Sequence, residues 1–273
     1  MTIDESALRT ANDSGFPLQI AVQRQVTETH SAHGWSVRYV EHSWSNRDDI
    51  PQSGFIDIVL QDQHKATILV IECKRVRNVE WVFLHSDGRP KRSQHHAKGW
   101  ISHYANSTMA RFEWQDIDVY PACIEAEFCA LRGQSASDRI TLIERVGGEL
   151  ITATEALAWE ERDYRTDQYE NIRLYFNVIV TTADLKIGTF NPTNVSLTDG
   201  TLSAAEFESV PYLRFRKQLS TRPMRFSPVD YESAKDIAYT KQNTVFVVRA
   251  DALPAFLREF NVPDSSLRSL RVG

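Results

Sequence analysis

Three charged residues that could bind a metal ion or transfer a proton lie in two strongly apolar segments. Asp57 lies in FIDIVLQD (residues 55–62), and Glu72 and Lys74 lie in ATILVIECKRV (residues 66–76). Aliphatic and β-branched residues dominate both segments, so the sequence predicts two buried strands. An isolated charge in such a strand is costly unless it has a partner. These charges therefore indicate a site rather than an ordinary core.

A hairpin formed by these two strands would bring the carboxylates together. With the turn at residues 64 and 65, Asp57 lies opposite Glu72, and Lys74 shares their face because side chains alternate across a sheet. Opposed like charges destabilise a sheet, and a divalent cation between them would remove the repulsion. Carboxylate oxygens suit Mg²⁺, with Mn²⁺ as a substitute. Lys74 could orient or deprotonate the attacking water, so the site predicts metal-assisted phosphodiester hydrolysis.

The spacing of these residues resembles a known catalytic motif. Asp57, followed fifteen positions later by Glu72-Cys73-Lys74, is similar to the D…(D/E)xK motif of the PD-(D/E)xK nuclease superfamily, which has the restriction-endonuclease-like fold. The resemblance implies that Asp57, Glu72 and the backbone carbonyl of Cys73 bind the metal. It also implies that Lys74 is the catalytic lysine. The proline that precedes the aspartate in the family is Ile56 here, a departure that changes no reacting group.

The family also places a Glu or Gln on its first helix, facing the site. The segment FPLQIAVQ offers Gln19 and Gln23, which lie one helical turn apart on one face. Of the two, Gln19 is favoured as the additional catalytic residue.

The predicted fold is α/β (α+β), with a central mixed sheet flanked by helices. Its elements resemble the family's αβββαβ core, in the order helix 17–32, strands 35–44, 54–62 and 66–76, helix 137–162 and strand 171–182. The core thus covers residues 15–182 with an insertion near 77–136. Residues 183–273 are expected to form a C-terminal β-rich extension packed on the same domain, and residues 1–14 to be disordered.

Several further elements are predicted from periodicity alone. Residues 79–84 could form a short strand or begin a helix, and residues 95–112 are expected to form a helix. The remaining expectations are strands at 119–133, 210–219 and 243–250, and a short helix at 251–260 with Asp251 as N-cap.

Basic residues cluster directly after the proposed site. Arg75, Arg77, Lys91, Arg92 and Lys98 could hold nucleic-acid phosphates beside the metal. The equally weighted alternative is a solvated loop that keeps an acidic protein soluble.

A second basic pair, Arg214 and Arg216, shares one face of a predicted strand. These residues could form another phosphate contact or an ordinary sheet surface.

The composition limits the function classes. The chain has 273 residues, a net charge of −5 and a pI of about 5.9, whereas a protein whose whole surface binds nucleic acid is usually basic. Three cysteines without zinc spacing favour a reducing, cytoplasmic setting. We expect no signal peptide at the polar N-terminus and no membrane span. No P-loop is present, so any ATPase would be a separate partner.

These observations favour a metal-dependent nuclease, with DNA and endonucleolytic cleavage preferred. The resemblance suggests bacterial restriction, repair or phage defence, and duplex cleavage would favour a homodimer. One alternative is a catalytically silent module that binds nucleic acid or a partner protein, and another is an RNase that uses the same site. The structural alternative makes Glu72 and Lys74 a solvated ion pair, worth about 0–1 kcal/mol.

Overall fold

The computed structural model describes residues 4–46, 51–77, 79–87, 95–105, 108–131, 141–164, 172–219 and 234–271. Seven helices lie in these ranges: α1 (Glu5–Asp13), α2 (Phe16–Glu28), α3 (His30–His33), α4 (Leu142–Glu160), α5 (Ala234–Thr240), α6 (Leu253–Glu259) and α7 (Asp264–Arg271). None of the helices in these ranges is long and apolar enough to cross a membrane.

Thirteen strands form two sheets in the described residues. The strands are β1 (Ser36–Ser45), β2 (Ser53–Gln61), β3 (Thr67–Lys74), β4 (Glu80–Ser86), β5 (His96–Ala105), β6 (Thr108–Asp118), β7 (Glu125–Ala126), β8 (Phe128–Leu131), β9 (Ile172–Thr181), β10 (Asp184–Phe190), β11 (Glu206–Ser209), β12 (Tyr212–Lys217) and β13 (Asn243–Arg249). The larger sheet follows the order β1-β2-β3-β9-β13-β12-β7, with β5 and β6 attached beside β9. The smaller sheet has the order β11-β10-β4-β8. The protein is thus a mixed α/β structure with a central mixed sheet flanked by helices.

The predicted hairpin is confirmed as β2 and β3. The two strands are antiparallel, and Val59 pairs with Val70. Val59 and Val70 belong to the hydrophobic cluster that includes α4 residues, whereas Ile58 and Ile71 belong to the cluster on the opposite face, which includes α2 and α6 residues. Both faces are therefore covered, which explains why these strands are apolar throughout.

Strand β9 lies at the centre of the larger sheet, and all ten of its residues are buried. It runs parallel to β3 on one side and to β13 on the other. The C-terminal strands β12 and β13 thus continue the sheet that carries the hairpin. Helix α4 crosses one face of this sheet, and its capping box at Thr141 and Glu144 fixes where it begins.

The predicted helix over residues 95–112 is wrong, because this segment forms the antiparallel strands β5 and β6. Ala97 and Ile101 pack into one core cluster and Trp100 into the other, so both faces of β5 are covered. The polar residues Lys98 and Ser102 are buried together with the apolar ones, so the pattern of this strand does not follow solvent exposure. A Cβ at Gly99 would lie 2.7 Å from Cε1 of Phe176, so glycine permits the close approach to β9.

The predicted disorder of residues 1–14 is also wrong for the part that the structure describes. Residues 5–13 form α1, whose first turn is capped by the Asp4 side chain, which accepts hydrogen bonds from the amides of Ser6 and Ala7. An aspartate N-cap of this kind stabilises a helix start. Composition alone did not reveal it, because the helix presents no buried face.

Smaller differences concern element boundaries. Helix 17–32 is divided at Thr29 into α2 and α3, and strand 119–133 is divided into β7 and β8. Residues 80–84 belong to a strand, β4. Helix α6 begins at Leu253 rather than beside Asp251, whose carboxylate instead pairs with Arg249.

Candidate active site

The candidate site lies where β2 and β3 diverge. The regular pairing of the two strands extends as far as Ile58 and Ile71. Beyond this pair, Oδ2 of Asp57 accepts a hydrogen bond from the backbone amide of Cys73 at 2.7 Å. The aspartate side chain thus joins the strands where their backbone ladder stops.

The second carboxylate and the lysine lie at the end of β3. Nζ of Lys74 is 2.6 Å from Oε1 of Glu72, and both side chains are partly exposed, at 30% for the lysine and 20% for the glutamate. Strand β9 supports this end, since the hydroxyl of Thr181 donates to the carbonyl of Lys74 at 2.9 Å. The pair is therefore reachable from solvent although its strands are buried.

Gln19 holds the backbone of the site. Its side chain is buried, at 6% exposure, and its Nε2 donates to the carbonyl oxygen of Asp57 at 3.0 Å. Gln23 is exposed on the same helix. Of the two glutamines offered by the sequence, the structure thus brings Gln19 against Asp57, where it acts on the main chain.

The environment disfavours the simultaneous ionisation of the two carboxyl groups. Burial raises the pKa of Asp57, and the charge of Glu41 adds to the rise, whereas the Cys73 amide and Lys74 oppose it. For Glu72, burial and the charge of Asp57 raise the pKa against the opposing effect of Lys74. The charge of Asp57 thus raises the free energy of ionising Glu72, and a bound cation would relieve this repulsion.

The donor set matches a small divalent ion that prefers oxygen. Asp57, Glu72 and the carbonyl of Cys73 offer oxygen ligands, while burial raises the pKa of the Cys73 thiol and keeps it protonated. Among the described residues, no three His, Cys, Asp or Glu side chains gather closely enough to hold a metal. Mg²⁺ commonly uses one or two carboxylates and retains several waters, so two carboxylates and a carbonyl fit it.

The sequence reasoning missed two neighbouring acids, Glu41 and Glu149. Glu41 lies in β1 between the pairs Val40–Ile58 and His42–Ile56, which places it opposite Asp57. Its φ of 50° is unusual for a residue other than glycine. Continuing the register of β2 onto its other neighbour, β1, would have placed Glu41 opposite Asp57.

Glu149 lies on α4, which crosses the face of the sheet carrying the site, and its charge contributes to the raised pKa of Glu72. No short sequence pattern links a helix residue to a strand 77 positions earlier. This neighbour could be found only from the three-dimensional packing.

The proposed nucleic-acid contacts separate in the structure. Arg75 and Arg77 follow β3 and contact the end of α1. Lys91 and Arg92 lie outside the described residues. The proposal for Lys98 is wrong, because its side chain is 2% exposed and its Nζ lies 3.2 Å from Asp116. It cannot reach a nucleic acid without unfolding of its surroundings.

Arg214 and Arg216 are buried as well, at 1% and 0% exposure, so neither forms a surface phosphate contact. Arg216 makes a two-point ion pair with the carboxylate of Asp116, at 2.8 and 3.2 Å. Its guanidinium carbon lies 4.0 Å from the ring centroid of Tyr239. These cations belong to an internal polar network between β5, β6 and β12.

Searches of protein families, curated proteins and solved structures find no match to this chain. The function is therefore inferred from the chemical groups of the site. Those groups are two carboxyls that resist joint ionisation, a carbonyl beside them and an amine in contact with one carboxyl. Such a set can bind a cation and act on a substrate that carries negative charge.

Proposed function

We propose that this protein is a metal-dependent nuclease that hydrolyses phosphodiester bonds, with DNA the favoured substrate. The observation that carries the proposal is the convergence of Asp57, Glu72 and Lys74 on one hairpin end. There Asp57 joins the strands through the Cys73 amide, and Lys74 contacts Glu72 at 2.6 Å. An ordinary solvated ion pair gives no reason for the second carboxyl or for the elevated pKa of both acids.

The element order supports a restriction-endonuclease-like core. Helix α2 is followed by the antiparallel strands β1, β2 and β3, and later by α4 and β9, with β9 parallel to β3. This order is the αβββαβ sequence of elements that the motif resemblance implies. The strands β4 to β8 occupy the predicted insertion, and β10 to β13 follow the core.

The chain's own residues have separate roles in this proposal. Asp57, Glu72 and the Cys73 carbonyl would bind Mg²⁺ or Mn²⁺, which supplies positive charge against the charge that develops on the phosphate. Lys74 donates hydrogen bonds that orient the attacking water and the phosphate oxygens. Water forms a bond to phosphorus as the bond to the leaving sugar oxygen breaks. Gln19 keeps the Asp57 main chain in place.

The resemblance favours endonucleolytic cleavage in restriction, repair or phage defence, and a homodimer would supply two sites for a duplex. A silent binding module remains the second candidate. It is supported by the contact of Arg75 and Arg77 with the protein's own N-terminal helix, which leaves fewer cations open to a substrate. Such a module would bind nucleic acid, or a partner such as a separate ATPase, without cleavage.

Cleavage assays distinguish the two candidates. Plasmid, single-stranded DNA and RNA are incubated with the purified protein and Mg²⁺, then with EDTA. The nuclease proposal predicts Mg²⁺-dependent cleavage that Glu72→Ala and Lys74→Ala reduce strongly while far-UV circular dichroism stays unchanged. Cleavage by either variant at the wild-type rate would defeat the proposal, and oligonucleotide binding without cleavage would support the silent module.

A further inference from the structure

Two arginines beside the candidate site share one carboxylate from the N-terminal helix. Nη2 of Arg77 donates to Oδ1 of Asp13. Nη1 of Arg75 lies 3.8 Å from the same oxygen and donates to the carbonyl of Asn12. Arg75 directly follows Lys74, where β3 ends, and Arg77 lies two positions further on. A single carboxylate oxygen thus lies between two guanidinium groups that follow the proposed site in the sequence.

The contact that holds α1 is weak. None of the nine residues of α1, all of them described, is buried. Its ion pair with Arg77 is solvated, since the side chains of Arg77 and Asp13 are 59% and 54% exposed. Exposed ion pairs contribute little stability, and an isolated helix of this length is marginal in water. Separating α1 from the two arginines therefore requires little free energy.

A joint between α1 and α2 would allow this movement. Gly15 caps α2 with a φ of 85°, a left-handed conformation that glycine adopts without strain. On its C-terminal side, Leu18 and Val22 anchor α2 in the core, and Gln19 contacts Asp57. Helix α1 could thus rotate about Gly15 while the residues that support the site remain in position.

A backbone phosphate could take the place of the Asp13 carboxylate between the two arginines. Two guanidinium groups carry two positive charges, whereas Asp13 supplies one negative charge through one oxygen. A backbone phosphodiester carries the same single charge, but it is not tethered to α1, so each of its two non-bridging oxygens can face one guanidinium group and accept paired hydrogen bonds from it. Phosphate contacts of this kind position a nucleic acid without reading its sequence.

We propose that Arg75 and Arg77 form a binding site for a backbone phosphate, and that Asp13 occupies this site in the free protein. Binding of nucleic acid replaces the carboxylate with phosphate and releases α1. This inference rests on the proposed function for the identity of its ligand, and it adds the competitor that controls access. Asp13 on the N-terminal helix therefore competes with a phosphate for Arg75 and Arg77 and weakens its binding.

The test measures binding without cleavage. A fluorescein-labelled single-stranded DNA oligonucleotide is titrated with the full-length protein in EDTA at low salt, and the Kd is read by anisotropy. Asp13→Asn is expected to lower the Kd by about three- to five-fold, the factor that corresponds to the loss of one competing surface ion pair. Glu5→Gln removes the same charge from the same helix without touching the arginines, and it should change the Kd by less than about 1.5-fold.

Two further measurements separate local competition from net charge. In an Arg75→Gln/Arg77→Gln background the affinity should fall, and the addition of Asp13→Asn should have no effect. Tryptic cleavage after Arg9 on α1, followed by mass spectrometry, should accelerate when the oligonucleotide binds. Equal gains from Asp13→Asn and Glu5→Gln, absence of oligonucleotide binding by both wild type and Asp13→Asn, or unchanged cleavage after Arg9 would each overturn the inference.

The outcome is separable from that of the nuclease proposal. A protein that cleaves with Mg²⁺ but shows no Asp13→Asn effect retains the proposed function and loses this inference. A protein that never cleaves but shows the Asp13→Asn effect retains the phosphate site and loses the nuclease.

Discussion

The carboxylate of Asp57 accepts a hydrogen bond from the amide of Cys73 at 2.7 Å, just beyond the last regular pair of the β2–β3 hairpin. This bond orients one oxygen of the carboxyl group toward the protein and leaves the other available to a ligand. It also fixes the main chain that presents the Cys73 carbonyl. The same bond that closes the hairpin thus organises the proposed metal ligands.

Neutralising Glu72 should change how stability depends on pH. Burial, then the charge of Asp57, raises the pKa of Glu72 above its ordinary value of 4.5. A carboxyl with a higher pKa in the folded state binds more protons when folded, so the free energy of unfolding falls as the pH rises above about 4.5 and through the folded pKa. Glu72→Gln should lack this fall and melt at a higher temperature than wild type at pH 7 in EDTA.

Urea unfolding of both proteins between pH 4.5 and pH 8, in EDTA, measures how the free energy of unfolding depends on pH. Thermal unfolding at pH 7 measures the two melting temperatures. Added Mg²⁺ should raise the melting temperature of wild type and leave that of Glu72→Gln unchanged. Parallel pH profiles for the two proteins would show that Glu72 has no elevated pKa in solution.

Replacing Lys74 should remove catalysis without unfolding the protein. Lys74→Met keeps an unbranched side chain as far as Cε and loses the ammonium group that orients water and phosphate. We expect cleavage to slow by about 10²- to 10⁴-fold, the usual contribution of such a group. Lys186→Met is the matched control, because Lys186 also pairs with a strand glutamate, Glu80, but in the smaller sheet. Similar losses in both variants would show that the effect is not local to the site.

Gln19 and Gln23 provide a comparison on one helix. Gln19→Ala leaves the Asp57 carbonyl without its 3.0 Å partner, so we expect a loss of about 1 kcal/mol in stability and slower cleavage. Gln23→Ala changes an exposed side chain and should alter neither quantity measurably. Thermal unfolding and initial cleavage rates check this pair, and equal behaviour of the variants would remove Gln19 from the site.

The network around Asp116 should matter for folding rather than for nucleic-acid binding. Although burial opposes ionisation, Arg216 and then Lys98 lower the pKa of Asp116. The stability from this pairing is therefore present above pH 3.8, the ordinary value, and is lost as the pH falls through the lower folded pKa. Asp116→Asn should cost about 3 kcal/mol at pH 7, because it leaves buried cations unpaired.

Asp118→Asn is the control, since Asp118 is half exposed and pairs with His96. Chemical denaturation at pH 7 should place this variant within about 0.5 kcal/mol of wild type. A loss as large as that of Asp116→Asn would contradict the distinction between the buried and the exposed pair.

The hairpin and its register could be predicted from sequence because local information determines both. The apolar runs on each side of residues 64 and 65 allow one pairing that keeps both faces apolar, and the structure confirms that Val59 pairs with Val70. Strand β9 could also be predicted, because seven of its ten residues are apolar and the run contains several β-branched and aromatic side chains.

The features that the sequence did not predict correctly depend on partners that are distant in the sequence. Strand β5 pairs with β9, about 70 positions later, and both of its faces are buried, including the polar residues Lys98 and Ser102, so its pattern does not follow solvent exposure. The sequence places Lys98 at a surface because a lysine is rarely buried. In the structure its ammonium group contacts Asp116 on the paired strand β6 and donates to the Thr240 carbonyl. The Asp13 contact joins residues 64 positions apart, and no local pattern could indicate it.

The most direct test of the central claim is metal binding by the two carboxylates. Isothermal titration of the full-length protein with MnCl₂ at pH 7 should show saturable binding in wild type and in Glu80→Gln, whose carboxylate lies in the smaller sheet. Asp57→Asn and Glu72→Gln should each lose that binding while retaining the wild-type circular dichroism spectrum. Manganese binding of unchanged affinity in both site variants, or none in wild type, would contradict the account.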